Sequence, residues 1–244
     1  MKRVLLVVAY DGTAYHGFQK QDNAGSIEEE LNKALFDLTG EEIEVIGASR
    51  TDSGVHALGN LVVFDTESPI PGEKFSYALN QRLPGDIRIR ESKEVDADYH
   101  PRKTGLKKTY EYRIFSSEFP LPTRRLYTCF SYHTFDVPAM DEAGKCLIGE
   151  HDFTSFCTVG AQVDSKVRTI TDVTVYQEGD EIVVRVTGTG FLYNMVRIIA
   201  GTLMEVGLGR MTKEDVAAAL EAKERSAAGP TAPACGLTLI GYHV

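Results

Sequence analysis

The 244-residue sequence has only four cysteines, and their spacing excludes two common classes of cysteine-dependent protein. None belongs to a C-x-x-C pair, and four are too few and too scattered for the disulfide scaffold of a small secreted protein. The six histidines form no H-x-x-x-H or Cys/His pair of the kind that holds zinc. We therefore predict reduced, mostly buried thiols and no bound metal. The cysteines are Cys129, Cys146, Cys157 and Cys235.

Long apolar runs are also absent, and with them the usual signals of a membrane or secreted protein. No segment approaches the ~20 apolar residues that a membrane-spanning helix needs. The opening MKRVLLVVAYDG contains an apolar run of only about seven residues, and no signal-peptide cleavage site follows it. We interpret this run as a first β-strand. The expected protein is soluble, has no membrane partner and stays in the cytoplasm.

Cofactor motifs are missing as well. The chain has neither a G-x-x-x-x-G-K-[ST] phosphate loop nor a G-x-G-x-x-G dinucleotide fingerprint, and Gly-Thr-Gly at 188–190 is too short to replace them. Any chemistry must therefore be possible with side chains alone, without a cofactor.

The net charge of −9 argues against a nucleic-acid partner, because binding to phosphates depends largely on lysine and arginine. Basic residues are nevertheless clustered, whereas acidic residues concentrate at 28–30 and near Glu214 and Asp215. A basic stripe on an acidic body fits an RNA-binding protein, but an ordinary solvated surface fits it too. The clustered residues are Arg82, Arg88, Arg90, His100, Arg102, Lys103, Lys107, Lys108, Arg113, Arg124, Arg125, Lys166 and Arg168.

Hydrophobic periodicity predicts the order β-α-β-β-α-β in each half of the chain, with one extra helix in the second. This order predicts an α+β fold of two ferredoxin-like halves, 1–104 and 105–244, whose antiparallel sheets join around a central cleft. Ser26 and Glu29 form the capping-box pattern that begins the first helix, and Gly40 ends it. The other predicted helices are 73–83, 138–148, one within 191–207, and 213–222. The predicted strands are 3–9, 43–48, 60–65, 86–95, 107–115, 169–177, 182–188 and 237–244.

The stretch ASRTDSGVHALGN, residues 48–60, places Asp52 two residues after Arg50 and directly before a Ser-Gly turn. Taken alone, Asp-Ser-Gly is a turn in which the carboxylate accepts backbone N–H bonds. It also matches the D-[ST]-G loop of aspartic proteases, but those enzymes need two such loops on an all-β scaffold. A cation within ~4 to 6 Å keeps a carboxylate ionised, so that Asp52 beside Arg50 can act as a base or a nucleophile.

RTDSGVHA resembles the R-T-D-[AS]-G-V-H signature of the TruA family of tRNA pseudouridine synthases. The resemblance extends in family order over nearly the whole chain. One departure is visible, since Phe18 stands where many relatives have tryptophan in a Gly-Trp-Gln element. The other matching blocks are YDGTAYHGFQKQ, SIEEELNKAL, LNQRLPGDIRI, DYHPR, KKTYEYRI, GEHDFTSF, FLYNMVRIIAGTLMEVG and GLTLIGY.

The resemblance implies a homodimeric enzyme with an RNA-binding cleft that isomerises uridine to pseudouridine at positions 38, 39 and 40 of the tRNA anticodon stem-loop. Asp52 is then the ionised catalytic aspartate. Tyr110 is expected to stack on the detached uracil; Tyr112 points the same way along the strand, so one of the two can be core packing. An RNA-binding protein that keeps the fold without turnover is the alternative, against which the intact motif argues.

Two arginines are candidates for residues that support the catalytic step. Arg50 is expected to fill the stack that a flipped nucleotide leaves or to hold a phosphate, unless it is only a structural partner of Asp52. The family pattern implies a salt bridge from Arg197 to the catalytic carboxylate, and the alternative is an arginine on the polar face of its helix. Phe153 and Phe156 are predicted to be core residues. Candidates for contacts with the RNA backbone are His100, Arg102, Lys107, Lys108 and Arg168.

Overall fold

The computed structural model of the chain describes residues 1–21, 24–160 and 163–244. Contacts divide the chain into two units, one formed by 1–106 with 239–244 and the other by 107–238. Both units combine helices with mainly antiparallel strands, so the predicted α+β class is confirmed. The ferredoxin-like connection of each half and the boundary after residue 104 stay predictions.

The sheet of the first unit is built on β1 (Lys2–Tyr10), the apolar run near the start of the chain. β1 pairs antiparallel with β3 (His56–Thr66) on one side and with β4 (Ile87–Val95) on the other. The two-residue strand β2 (Ile46–Gly47) pairs with β3. Every second residue from Val4 to Val8 is fully buried, which is the period that a strand with one core face requires.

Helix α1 (Ile27–Thr39) begins and ends where the sequence predicts. The Ser26 hydroxyl accepts the backbone N–H of Glu29 at 3.2 Å, which satisfies one of the free donors of the first turn. Gly40 ends the helix with a φ of 73°, a left-handed conformation that glycine adopts without steric cost. The buried residues of its apolar face are Ile27, Leu31, Ala34 and Leu35.

The predicted strand 43–48 is wrong except for β2. The chain before β2 bonds to side chains instead of a neighbouring strand, since the backbone N–H of Val45 donates to Oδ1 of Asn32 at 3.0 Å. Local sequence carries the β-branched residues of a strand here but cannot show that an asparagine on α1 takes the hydrogen bond.

The predicted helix 73–83 is also shorter than expected. A 3₁₀ turn (Gly72–Lys74) leads into α2 (Phe75–Leu79), which ends after five residues. The side chain of Asn80 exchanges two 2.8 Å hydrogen bonds with the backbone of Ile89 in β4. This tie to the sheet ends the helix.

In the second unit, β5 (Lys107–Ser116), β9 (Glu181–Gly188) and β8 (Val167–Glu178) are neighbouring antiparallel strands in that order. They confirm the three predicted strands and the turn between β8 and β9. β7 (Gly149–Asp152) pairs with β8, and β6 (Cys129–Ser131) pairs in parallel with β5. These two short strands were not predicted.

Three helices of the second unit pack together: α3 (Val137–Gly144), α4 (Met195–Gly207) and α5 (Lys213–Ala222). The predicted helix 138–148 is α3 followed by a 3₁₀ turn at Lys145–Leu147. The last strand, β10, is Leu237–His243. The apolar residues predicted to line one face of the α4 segment are all buried, namely Leu192, Met195, Val196, Ile199 and Leu203.

The core of the second unit contains Phe153 and Phe156, which are fully buried with ring centroids 6.1 Å apart, so their prediction as core residues is confirmed. All four cysteines are free thiols. Burial raises the pKa of the Cys129 and Cys157 thiols. Within the described ranges, no helix has both the length and the apolar character needed to cross a bilayer.

Candidate active site

Asp52 lies in the loop that leads into β3, and it is half-buried. The backbone N–H of Val55 donates to the carbonyl of Asp52 at 3.1 Å, and Gly54 has a φ of 75°. The turn that the Asp-Ser-Gly sequence predicts is therefore present. Because a turn by itself is not a site, the surroundings of the loop decide what the carboxylate can do.

A second loop, residues 11–18, packs backbone to backbone against the Asp52 loop. The N–H of Phe18 donates to the carbonyl of Thr51 at 3.0 Å. Gly17 has a φ of 95°, and a Cβ at that position would lie only 2.7 Å from the same carbonyl oxygen. The chain on the N-terminal side of Asp52 is thus fixed by a close backbone contact that only glycine permits.

A buried polar network anchors the residues just before Asp52. Asn60, fully buried in β3, accepts the N–H of Ser49 at 3.2 Å and donates to its carbonyl at 2.9 Å. The hydroxyl of Tyr242 lies 2.6 Å from Ser49 Oγ and 3.0 Å from Asn60 Oδ1. The Tyr10 hydroxyl bonds to Thr51 Oγ1 at 2.7 Å. Such networks hold a loop rigidly because an unpaired buried polar group is costly.

Arg50 and Arg102, two predicted substrate-binding residues, both lie in the first unit. Arg50 is exposed, with its guanidinium 3.5 Å from Gln19 Oε1. Nε of Arg102 donates to the carbonyl of Gly47 at 2.8 Å, and burial followed by the charge of Arg50 lowers the pKa of Arg102. Two neighbouring guanidinium groups suit a phosphate oxygen. His100 accepts the backbone N–H of Arg102 on Nδ1 at 3.2 Å and so shapes this loop.

Tyr110 and Tyr112 both lie on β5 of the second unit, and the structure distinguishes them. Tyr112 is fully buried, its hydroxyl donates to the carbonyl of Pro233 at 2.9 Å, and burial raises its pKa. Tyr112 is therefore a core residue. Tyr110 is 8% exposed and meets Phe191 edge to face, with centroids 5.3 Å apart.

The remaining predicted basic residues lie at one end of the second unit's sheet. Lys107 and Lys108 begin β5, and Lys108 is in register with Gly188, the last residue of β9. Arg168 is near the start of β8, and its side chain lies beside Gly190. A Cβ added to that glycine would be 3.7 Å from Cδ of Arg168. The Gly-Thr-Gly loop thus lies among residues predicted to contact RNA.

Arg197 is half-buried in the first turn of α4, and hydrogen bonds hold its guanidinium. Nε donates to the carbonyl of Ala232 at 2.7 Å, and Nη1 donates to Oδ1 of Asn194 at 2.8 Å. Asn194 has a φ of 60°, an uncommon conformation for a residue other than glycine. Arg197 is therefore a fixed group and not a solvated side chain on the polar face of its helix.

Sequence reasoning missed several residues around these groups. Asn60 carried a usable signal, because an amide inside the apolar strand GNLVVF requires buried partners. Phe191 and Asn194 carried no such signal in the sequence. The contact of Phe191 with Tyr110 and the positive φ of Asn194 both depend on tertiary packing.

A sequence profile described as tRNA pseudouridine synthase matches residues 6–102 and 143–244. The chain is 48% identical over 243 residues to tRNA pseudouridine synthase A of Acetivibrio thermocellus, covering 100% of both chains. It is 45% identical over 240 residues to the protein of that name from Thermoanaerobacter sp., covering 98% of both. It is 47% identical over 238 residues to the one from Halalkalibacterium halodurans, covering 97% of this chain and 90% of that one.

Proposed function

Because this chain belongs to the tRNA pseudouridine synthase family, we propose that it isomerises uridine to pseudouridine in tRNA, at positions 38, 39 and 40 of the anticodon stem-loop. The observation that carries the proposal is the full-length similarity to relatives named for this activity. The half-buried Asp52, held in the family's signature loop by backbone contacts and a buried polar network, supports it.

The reaction is an isomerisation and needs no co-reactant. The C1′–N1 bond of uridine breaks, the uracil turns, and a C1′–C5 bond forms, while the hydrogen on C5 is lost and N1 gains one. An ionised Asp52 can attack the sugar at C1′, attack the base at C6, or remove the C2′ proton to give a glycal. Each route needs a carboxylate that stays charged and correctly aimed.

The other site residues receive roles from the family pattern and their chemistry. Tyr110 stacks on the detached uracil, and its contact with Phe191 supports a fixed ring. Arg50 enters the stack that the flipped nucleotide leaves, with Arg102 beside it holding a phosphate. Arg197 holds the Asp52 carboxylate. Backbone contacts to RNA come from His100, Lys107, Lys108 and Arg168.

The proposal includes a homodimer that works in the cytoplasm, as the family resemblance implies. Sedimentation of the purified protein with and without tRNA tests the homodimer. A single protein chain per particle under both conditions would contradict it.

The activity is tested with purified protein and an unmodified tRNA tritiated at uridine C5, without added metal or nucleotide. We expect tritium release by the wild type and a loss of at least ~10³-fold in Asp52→Asn, which removes the charge at nearly constant size. Asp37→Asn, which changes an exposed carboxylate on α1, is the matched control and should release tritium at the wild-type rate.

The same experiment separates the alternatives. Binding of tRNA by the wild type without release would favour an RNA-binding protein that lacks turnover. Full activity of Asp52→Asn would remove Asp52 from the chemistry. Cleavage of a peptide at acid pH, abolished by the same substitution, would instead support the aspartic-protease hypothesis.

A further inference from the structure

His56 lies four residues after Asp52, at the first position of β3, and it is only 4% exposed. Its ring nitrogen Nδ1 lies 3.0 Å from the backbone nitrogen of Gly12. A backbone amide can only donate, so Nδ1 must accept this bond with its lone pair. The side chain that follows the Asp52 turn is thereby hydrogen-bonded to the second loop.

Asp11 Oδ1 lies 3.2 Å from the same Nδ1, a distance that would also suit an ion pair with a protonated ring. The hydrogen bond from Gly12 decides between the two, because a protonated Nδ1 has no lone pair left to accept it. The carboxylate of Asp11 takes other donors, the backbone N–H of Thr13 at 2.9 Å and its hydroxyl at 2.5 Å. Nδ1 of His56 is therefore an acceptor.

The second loop, residues 11–18, contacts the Asp52 turn at several points along its length. A Cβ on Gly12 would lie 2.0 Å from the carbonyl oxygen of Val55. Farther along, Tyr15 accepts the N–H of Gly54 at 3.3 Å and the Ser53 hydroxyl at 3.3 Å on its carbonyl. A shift of this loop would therefore disturb the contacts of Ser53, Gly54 and Val55, the three residues that directly follow Asp52.

We propose that His56 is a positioning residue for the reaction, one that fixes the carboxylate of Asp52 through the hydrogen bond from Gly12 to Nδ1. The proposal rests on the proposed function. His56 touches neither the base nor the sugar in this scheme; it acts by keeping the two loops in register. Without the imidazole, the amide of Gly12 loses its buried acceptor, and the loop moves to find another partner.

Three substitutions of His56 separate positioning from simple packing. His56→Asn places an amide oxygen close to the position of Nδ1 and can accept the bond from Gly12, whereas His56→Gln places its amide near Nε2. His56→Ala removes both. We expect kcat to fall ~10- to 100-fold in His56→Ala and His56→Gln, because a misplacement of about 1 Å can cost ~10²-fold. His56→Asn should stay within about threefold of the wild type, and KM for tRNA should change little in all three.

A hydrogen-exchange measurement and a control variant show whether the loss of activity comes from the hydrogen bond at Gly12 or from lower stability. Amide hydrogen exchange at Gly12 should be slow in the wild type and in His56→Asn and fast in the other two variants. Leu79→Ala, which opens a cavity at a fully buried side chain of α2, serves as the control for lost stability, and it should lower Tm while leaving kcat unchanged.

The inference is overturned if His56→Gln restores turnover as well as His56→Asn does, or if the loss appears only in KM. It is also overturned if exchange at Gly12 does not respond to His56. If His56→Ala does not fold, the Asn and Gln variants carry the comparison. Absence of tritium release by the wild type would overturn the proposed function instead, while the exchange experiment would still report on the hydrogen bond.

Discussion

At the scale of single residues, Gly17 shows how closely the backbone around Asp52 is packed. Its φ of 95° alone disfavours any other residue, and its missing Cβ leaves room for the carbonyl of Thr51. Phe18 is 1% exposed, and its ring occupies the space beside Gly47. A larger ring at position 18 would therefore change the packing beneath the loop.

We predict that Gly17→Ala lowers kcat by ~10-fold or more, because the Cβ must displace the chain next to Asp52. Gly40→Ala is the matched control: its φ of 73° imposes similar strain, but no atom lies within 4 Å of the added Cβ. It should cost about 1 kcal/mol of stability and leave kcat unchanged. Urea unfolding and tritium release measure the two effects, and equal losses of activity in both variants would contradict the prediction.

At the scale of elements, what the sequence predicts depends on how local the controlling interaction is. α1 is predicted to the residue because Ser26 and Gly40 act within one turn of the helix ends. β6 and β7 are only three and four residues long, so no alternation is visible, and pairing with distant strands creates them.

The same limit applies to the candidate site. Asp52 and its turn follow from a short motif, whereas the register between two loops depends on contacts that link residues about 40 positions apart. The sequence motifs contain Gly17 and His56, and the apolar strand around Asn60 indicates a buried amide, but the partners of all three residues become visible only in the structure.

The pairing of β1 with β3 places Arg3 opposite Asp65 with hydrogen bonds of 2.8 and 2.6 Å. The bond from Arg3 lowers the pKa of Asp65, so the pair stabilises the protein fully above the unfolded pKa of about 3.9 and the effect is lost as pH falls through the folded value. Asp65→Asn should cost about 1 kcal/mol at pH 6, because the pair is partly exposed, and progressively less as the pH falls below about 3.9. Urea unfolding across this range measures the difference.

An exposed ion pair on the neighbouring strand supplies the comparison. Lys93 and Glu91 lie 3.0 Å apart on β4, with each side chain 57% exposed. Glu91→Gln should change stability by less than ~0.5 kcal/mol at any pH. Equal pH profiles for the Asp65 and Glu91 variants would show that the geometry of the Arg3 pair has no special effect.

At the scale of the whole molecule, the charge must be reconciled with an RNA substrate. A net charge of −9 repels phosphates on average, so productive binding requires that the positive charges lie together. Lys107, Lys108 and Arg168 meet this condition at one end of the second unit's sheet. If they contact RNA phosphates, each contributes to the release of counterions on binding.

Salt dependence therefore tests these residues together, with tRNA binding measured in the Asp52→Asn background to prevent turnover. The slope of log K against log salt is negative, and it should become less steep by about 0.7 to 0.9 for each of Lys107→Gln, Lys108→Gln and Arg168→Gln. Lys33→Gln, an exposed change on α1 beside acidic residues, should leave the slope unaltered. Parallel lines for all four variants would show that the basic residues at this end of the sheet do not contact phosphate, since a lost contact must reduce the number of ions released.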